Sequence, residues 1–375
     1  MAGLPLVRGG GHLWLSALLH LLFAASVRAY MNLSDTALRN ITINEADFDI
    51  HNGPLLAPIL IPRVPGTPGQ VKTQEHFVNF WRKELPKWSI EWQNSTGTTP
   101  ATGDKQIPFQ NLIFRREPPW NKLGQANWFT LVAHYDSKIE PEGFIGATDS
   151  AAPCAMLMHI AKAVDPFLTQ MDDEMVALGE NGGTVPQDMG LQILLLDGEE
   201  AFKAWTDTDS LYGARSLADE WEKTYNPAMS HYKNPLEQIS IFVLLDLLGS
   251  ANPQVPSYFQ TTHWAYKSMA KLEKRMRDLG ILETKPAIPF LNDAEKDPAR
   301  FGRSGIGDDH VPFMSKGVNI LHMIPSPFPN VWHRPEDDGE HLDMPTVRDW
   351  TRIVTAFTME WLDMNEVMPE DAAEV

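Results

Sequence analysis

Continuous apolar runs of strand length alternate with amphipathic helical stretches along most of this chain. Apart from Gln192, Ser240, Asn319 and His322, the runs Leu191 to Leu196, Ile239 to Leu245 and Val318 to Ile324 are apolar at both odd and even positions, so neither face of such a strand suits water. Helical spacing predicts helices over Ala152 to Val164, Tyr212 to Tyr225, Trp264 to Leu279 and Val347 to Leu362. Strands apolar on both faces and separated by helices predict a largely parallel sheet covered on both sides. Three more strand-like runs, Ser89 to Trp92, Phe109 to Phe114 and Asn127 to Ala133, come earlier in the chain. The spacing of Phe77, Phe80, Trp81 and Leu85 predicts a first helix over Val71 to Leu85.

A sheet of this kind takes its ligands beyond the carboxyl ends of its strands. His134, Glu199, Glu200, Asp246 and His333 all fall at or shortly after such ends. The adjacent Glu199 and Glu200 repel each other, and burial raises the cost of ionising them, so a cation or a catalytic task is the usual compensation.

The 375 residues suffice for one large α/β domain or two small ones, and 43% hydrophobic content supplies a single core. A formal charge of −18, with no run of Lys or Arg, argues against nucleic acid and anionic membrane as partners. Cys154 is the only cysteine, so no intramolecular disulfide forms. Its setting, Ala151-Ala-Pro-Cys-Ala-Met-Leu-Met158, reads as a buried helix start, where a lone cysteine packs as a small hydrophobe.

Residues 1–29 read as a signal peptide, with Arg8, an apolar stretch from Leu13 to Ala25, and Val27-Arg-Ala29 at the cleavage positions. An uncleaved signal anchor is the competing reading, and only then is a membrane a partner. Asn32, Asn40 and Asn94 each open a glycosylation triplet, in keeping with a secreted or secretory-pathway protein. Residues 30–70, rich in Asn, Pro and Gly, predict an irregular arm wrapped over the surface, followed by a single catalytic domain over 71–375. Leu168 to Met189, with Asp172-Asp-Glu174 and Gly182-Gly183, reads as an acidic surface insertion.

A catalytic zinc takes three protein ligands and keeps one position open. Asp149, Glu200 and His333 fit that requirement. Singly, an Asp in Thr-Asp-Ser is more often a turn or helix cap, a Glu is more often solvated, and a His beside Trp is more often packed. Their coincidence at strand ends reverses those odds.

These residues sit in motifs that resemble the zinc aminopeptidases and, within them, the glutaminyl cyclases. The motifs are His134-Tyr-Asp-Ser137, Gly146-Ala-Thr-Asp-Ser-Ala-Ala-Pro-Cys154, Asp197-Gly-Glu-Glu-Ala-Phe202, Leu244-Leu-Asp-Leu247, Asp308-Asp-His-Val-Pro-Phe313 and Ile324-Pro-Ser-Pro-Phe-Pro-Asn-Val-Trp-His333. Trp205, Asp308 and the Pro-Phe-Pro-Asn-Val-Trp-His stretch are additions that the cyclases share and the aminopeptidases lack. The resemblance covers most of the chain after about Phe77 and implies a three-layer α/β/α sandwich around a mixed, largely parallel sheet. It implies one zinc per chain held by Asp149, Glu200 and His333, with Glu199 as proton shuttle. It implies Asp246 and Asp308 as hydrogen-bonding partners near the reacting amine. Trp205, Trp332 and Phe328 would form the pocket, with His310 in support. In secreted animal cyclases the cysteine matching Cys154 is typically bridged to one that is Ala133 here, so that bridge is absent.

The implied reaction is cyclisation of the N-terminal glutamine of peptides and proteins to pyroglutamate with release of ammonia. Holding amine and amide carbonyl in near-attack geometry contributes roughly 7–11 kcal/mol in the best model systems. Two other classes compete. A secreted zinc aminopeptidase would hydrolyse peptides, and His134, Asp149, Glu200, Asp246 and His333 have the donor types for two metals. A non-catalytic ectodomain on the same scaffold would be expected to lack ligands or the Glu pair, and this chain keeps both.

Overall fold

The computed structural model describes residues 32–179, 189–302 and 305–368. The expected leader, residues 1–29, lies outside the described residues, as does 180–188 of the acidic segment. Among the described residues, six strands form one sheet: β1 Ser89–Gly97, β2 Ile107–Arg116, β3 Asn127–His134, β4 Met189–Leu196, β5 Ile239–Leu245 and β6 Ile320–Met323. Their order is β1-β2-β4-β3-β5-β6. β4, β3, β5 and β6 run parallel, while β1 and β2 add an antiparallel edge. The sheet is therefore mixed and largely parallel, as predicted. Because β4 lies on one side of β3 and β5 on the other, the connections diverge beside β3 and open a crevice at its carboxyl end.

The helices are α1 Asp35–Asn40, α2 Pro68–Glu84, α3 Ala152–Ala177, α4 Tyr212–Lys223, α5 His263–Asp278, α6 His310–Met314 and α7 Met344–Trp361. Along β4, Leu191, Ile193 and Leu195 enter a large core shared with α2, α3, α5 and α7. Leu194 and Leu196 enter a smaller one against α4 and Phe313 of α6. Two covered faces explain why the strand shows no polar alternation. Among the described residues, no helix is long and apolar enough to cross a membrane.

Three expectations are corrected. The 30–70 segment is not a surface wrapping: Leu33, Leu38, Phe48, Leu55, Leu56 and Ile59 are buried in the large core, and the segment contains α1. Helix α2 starts at Pro68, not Val71, because Thr67 caps it and proline suits its first position. Helix α3 does not stop at Val164 but runs through Pro166 to Ala177. A proline inside a helix loses a hydrogen bond and costs about 3 kcal/mol. Tertiary anchors offset it: Val164 and Leu168 stay in the core, Trp88 donates to Asp165 at 2.8 Å, and Arg116 pairs with Asp172 at 2.5 Å. The predicted insertion thus begins as the last turns of a helix.

Candidate active site

The carboxyl ends of β3, β4 and β5 deliver polar side chains to one place, and the loop after β6 brings His333 to it. His134 is the last residue of β3, and Asp246 directly follows β5. After β4 the chain turns at Gly198, whose φ of 68° favours glycine. A Cβ there would also collide with the Phe109 ring, so the turn that presents Glu199 and Glu200 requires glycine. Gly146, with φ 62°, makes the turn that leads to Asp149, and a Cβ on it would strike the Asp149 carbonyl. His333 itself is left-handed at φ 56°, a conformation that costs a non-glycine residue about 1–3 kcal/mol and that concentrates at functional sites.

Asp149, Glu200 and His333 converge, with one potential ligand atom from each lying within 4.8 Å of the others. His333 Nε2 is 3.5 Å from Asp149 Oδ2 and 3.6 Å from Glu200 Oε1. Both oxygens are buried without a hydrogen-bond partner. Buried, unpartnered carboxylate oxygens facing an imidazole are the arrangement a divalent cation would satisfy, so these residues fit a zinc of the predicted kind. Burial opposes a charged His333, yet the two carboxylates outweigh it and hold its pKa up at about 9.

The other oxygen of Asp149 accepts from His134 Nε2 at 3.0 Å, and Asp246 Oδ1 lies 3.5 Å from the same nitrogen. His134, Asp149 and Asp246 form a second group with metal-ligand spacing, and Asp308, His310 and His322 a third. In the third, His322 Nε2 is hydrogen-bonded to Asp308 Oδ2 at 2.6 Å. Burial pushes the pKa of both His310 and His322 down to about 3, so these imidazoles are neutral. The Glu199 carboxyl is raised well above the usual range, chiefly by burial; His134 opposes this and the Glu200 charge reinforces it.

A cleft of about 360 Å³ opens over these groups, lined by Asp149, Glu199, Asp246, His333, Trp205, Phe328 and Trp332 among others. Trp332 stacks on His333 at 3.9 Å, and Phe328 meets Trp332 edge-on at 4.7 Å. Asp209 accepts the backbone amides of Phe202, Lys203 and Ala204 and so holds the loop that carries Trp205. The predicted residues thus gather, Glu200 joining through its approach to Asp149 and His333 and not through the cleft lining, while two others stand apart. Asp308 is buried behind the cleft, within electrostatic reach of Glu199 and Asp246. His310, expected to support substrate, does not line the cleft either; it packs against His322 at 4.4 Å.

Sequence reasoning missed several supports. Asp136 accepts the Glu199 amide through one oxygen at 3.0 Å and the Glu200 amide through the other at 3.1 Å. Asp337 does the same for the amides of Thr148 and Asp149 at 2.7 and 3.2 Å. Arg63, fully buried, donates to the carbonyls of Ile59, Ile61, Tyr135, Ile145 and Gly146, tying both ends of the segment that follows β3 to the N-terminal segment. Asp136 stood within a quoted motif, but Asp337 lies in Glu336-Asp-Asp338, which reads as solvated surface, and Arg63 in a Pro-rich stretch. Neither gives a local signal. Cys154 is free and buried, donating to the His134 carbonyl at 3.1 Å, and burial pushes its thiol up to about 12, which suits packing and not nucleophilic work.

Residues 111–358 match the model of Peptidase family M28. Glutaminyl-peptide cyclotransferase of Boiga irregularis is 35% identical over 314 residues, covering 82% of this chain and 80% of that protein. The Drosophila melanogaster glutaminyl-peptide cyclotransferase is 34% identical over 340 residues, covering 89% and 83%. The crystal structure of Macrostomum lignano glutaminyl cyclase superposes with a TM-score of 0.71 at 31% identity, covering 90% of this chain and 96% of that one.

Proposed function

The chain belongs to peptidase family M28 and, within it, to the glutaminyl-peptide cyclotransferases; from that premise we propose that it converts the N-terminal glutamine of peptides and proteins to pyroglutamate, releasing ammonia, with one zinc ion bound. The observation that carries this reading is a cleft that sets the buried carboxyl of Glu199 beside the Asp149, Glu200 and His333 group, under the walls of Trp205, Phe328 and Trp332. Those three residues would hold the metal, which when bound supplies Lewis-acid polarisation of the side-chain amide carbonyl.

The chain's own residues do the rest. Trp205, Phe328 and Trp332 clasp a short side chain and keep bulk water away, which disfavours hydrolysis. The substrate amine forms its new bond to the side-chain amide carbon, closing a five-membered ring. Glu199 takes a proton from that amine and returns it to the departing nitrogen, which leaves as ammonia as its bond to carbon breaks. A carboxyl group with a raised pKa is suited to both halves of that transfer. Asp246 lines the same cleft and is available to hold the amine. Asp308, behind the cleft and hydrogen-bonded to His322, acts on this network only from that second position.

A second reading is peptide hydrolysis. It is favoured by Asp149, whose two oxygens face His134 and His333 separately, as a two-metal site would need. The leader and the exposed Asn32, Asn40 and Asn94 support a secreted or secretory-pathway protein. Paired peptides beginning with Gln and with Leu, followed by mass spectrometry, separate the readings. Loss of ammonia from the Gln peptide with the Leu peptide intact is the expected result; shortening of the Leu peptide with no cyclised product would remove the cyclase reading.

A further inference from the structure

A second groove, also of about 360 Å³, adjoins the cleft, and Trp205 and Gly307 line both. Trp205 is 46% exposed. A Cβ on Gly307 would lie 3.4 Å from its ring nitrogen, so the shared wall is an indole beside a residue with no side chain. The groove runs between the start of α4, with Leu211 and Arg215, and α6, with Val311 and Pro312. A peptide whose first residue fills the cleft must carry the remainder of its chain out of it, and this groove meets the cleft at the wall of Trp205 and Gly307.

The charges in the groove differ in their availability. Lys316 is already neutralised by Asp219 at 2.9 Å and Glu222 at 2.7 Å. Arg215, half-exposed on α4, donates to the Asp207 carbonyl and lies 5.4 Å from the Tyr212 ring. Among the described residues it has no carboxylate within ion-pair distance, the Asp207 side chain included. In a chain of net charge −18, a guanidinium left without an acidic partner on a groove wall is a ready site for a carboxylate from outside.

We propose that this groove binds the residues downstream of the N-terminal glutamine in the peptide substrate, and that Arg215 selects for a carboxylate there. The proposal rests on the cyclase reading given above. The carboxylate is an Asp or Glu side chain or the C-terminus of a short peptide, and the two sources are separable by experiment.

Gln-initiated peptides with amidated C-termini, each with one Glu at a successive downstream position, are compared with an all-Ala counterpart and with its free-acid form. Ammonia release gives kcat and KM, and calorimetry gives binding. A Glu at the matching position is expected to lower KM roughly two- to fivefold, the range of a partly exposed ion pair, with kcat unchanged. Arg215→Ala removes that preference and Arg215→Glu reverses it, while a Gln dipeptide amide is converted at the parent rate by both. Ser315→Trp, which fills the groove without altering Arg215, raises KM for the long peptides alone. A preference that follows the free C-terminus and ignores the Glu position assigns the carboxylate to the terminus. Equal KM for acidic and neutral peptides of both kinds, or an Arg215→Glu defect as large on the dipeptide as on long peptides, overturns the proposal. If no Gln peptide releases ammonia, the cyclase reading fails; binding indifferent to both the peptide carboxylate and Arg215→Glu overturns the groove separately.

Discussion

Lys138 holds its ammonium 3.3 Å from Glu200 Oε2, while Glu200 Oε1 is buried with no hydrogen-bond partner. One half of the carboxylate is thus compensated by the protein, and the other half faces His333 and Asp149. A site built in this way asks for one more positive charge.

Replacing Asp149, Glu200 or His333 by Ala should therefore lower zinc content and turnover together, since each change removes a donor and leaves the remaining carboxylate without compensation. Elemental analysis alongside ammonia release checks this. Full zinc occupancy in any of the three variants would remove that residue from the ligand set.

Glu199→Gln should retain fold and zinc but lose turnover by roughly 10²–10⁴-fold, the usual range for general acid–base catalysis. The change is isosteric and removes only the proton acceptor. Activity near the parent level would show that Glu199 does not move the proton.

Asp136→Asn tests the clamp beneath the Glu pair. An amide group can accept only one of the two backbone N–H groups that the Asp136 carboxylate now accepts. Leaving one buried donor unsatisfied should cost about 1–3 kcal/mol in stability. Denaturant unfolding measures that loss. Turnover should fall as well, because Glu199 and Glu200 are no longer held in register; unchanged stability and turnover would mean the clamp is dispensable.

Trp332→Ala should raise KM for Gln peptides with zinc still bound. The indole stacks on His333 and lines the cleft without offering a ligand atom. Loss of zinc in this variant would assign Trp332 to holding His333 in place and not to holding substrate.

Metal analysis of the pure protein should give close to one zinc per chain, because His134 Nε2 already serves a hydrogen bond to Asp149. Two tightly held ions, with hydrolysis of amino-acid anilides, would favour the peptidase reading.

Much of this architecture can be read without coordinates, for a local reason. Strand runs such as Ile239–Leu245 are recognisable because burial on both faces leaves no polar alternation. The positions of Asp149, Glu199, Glu200 and His333 follow from their motifs, and the glycines at 146 and 198 mark the turns that present them. Helix ends were less legible: Thr67 and Asp343 extended two helices backwards, and ion pairs to Arg116 carried a third through Pro166.

What the sequence determined by itself is the alternation of elements and the chemical types at the strand ends, both properties of near neighbours along the chain. Only the tertiary structure decided the strand order, the burial of Leu33, Leu38, Phe48, Leu55, Leu56 and Ile59 in the large core, and the support of the site. Asp136 reaches 63 and 64 residues ahead to the Glu pair, Asp337 reaches back 188 to Asp149, and Arg63 joins carbonyls up to 83 residues away. His310 shows the converse, since its motif puts it near the cleft while packing against His322 keeps it out of the lining. A buried polar atom must find its partner wherever the fold brings one, and no periodicity in the sequence encodes that distance.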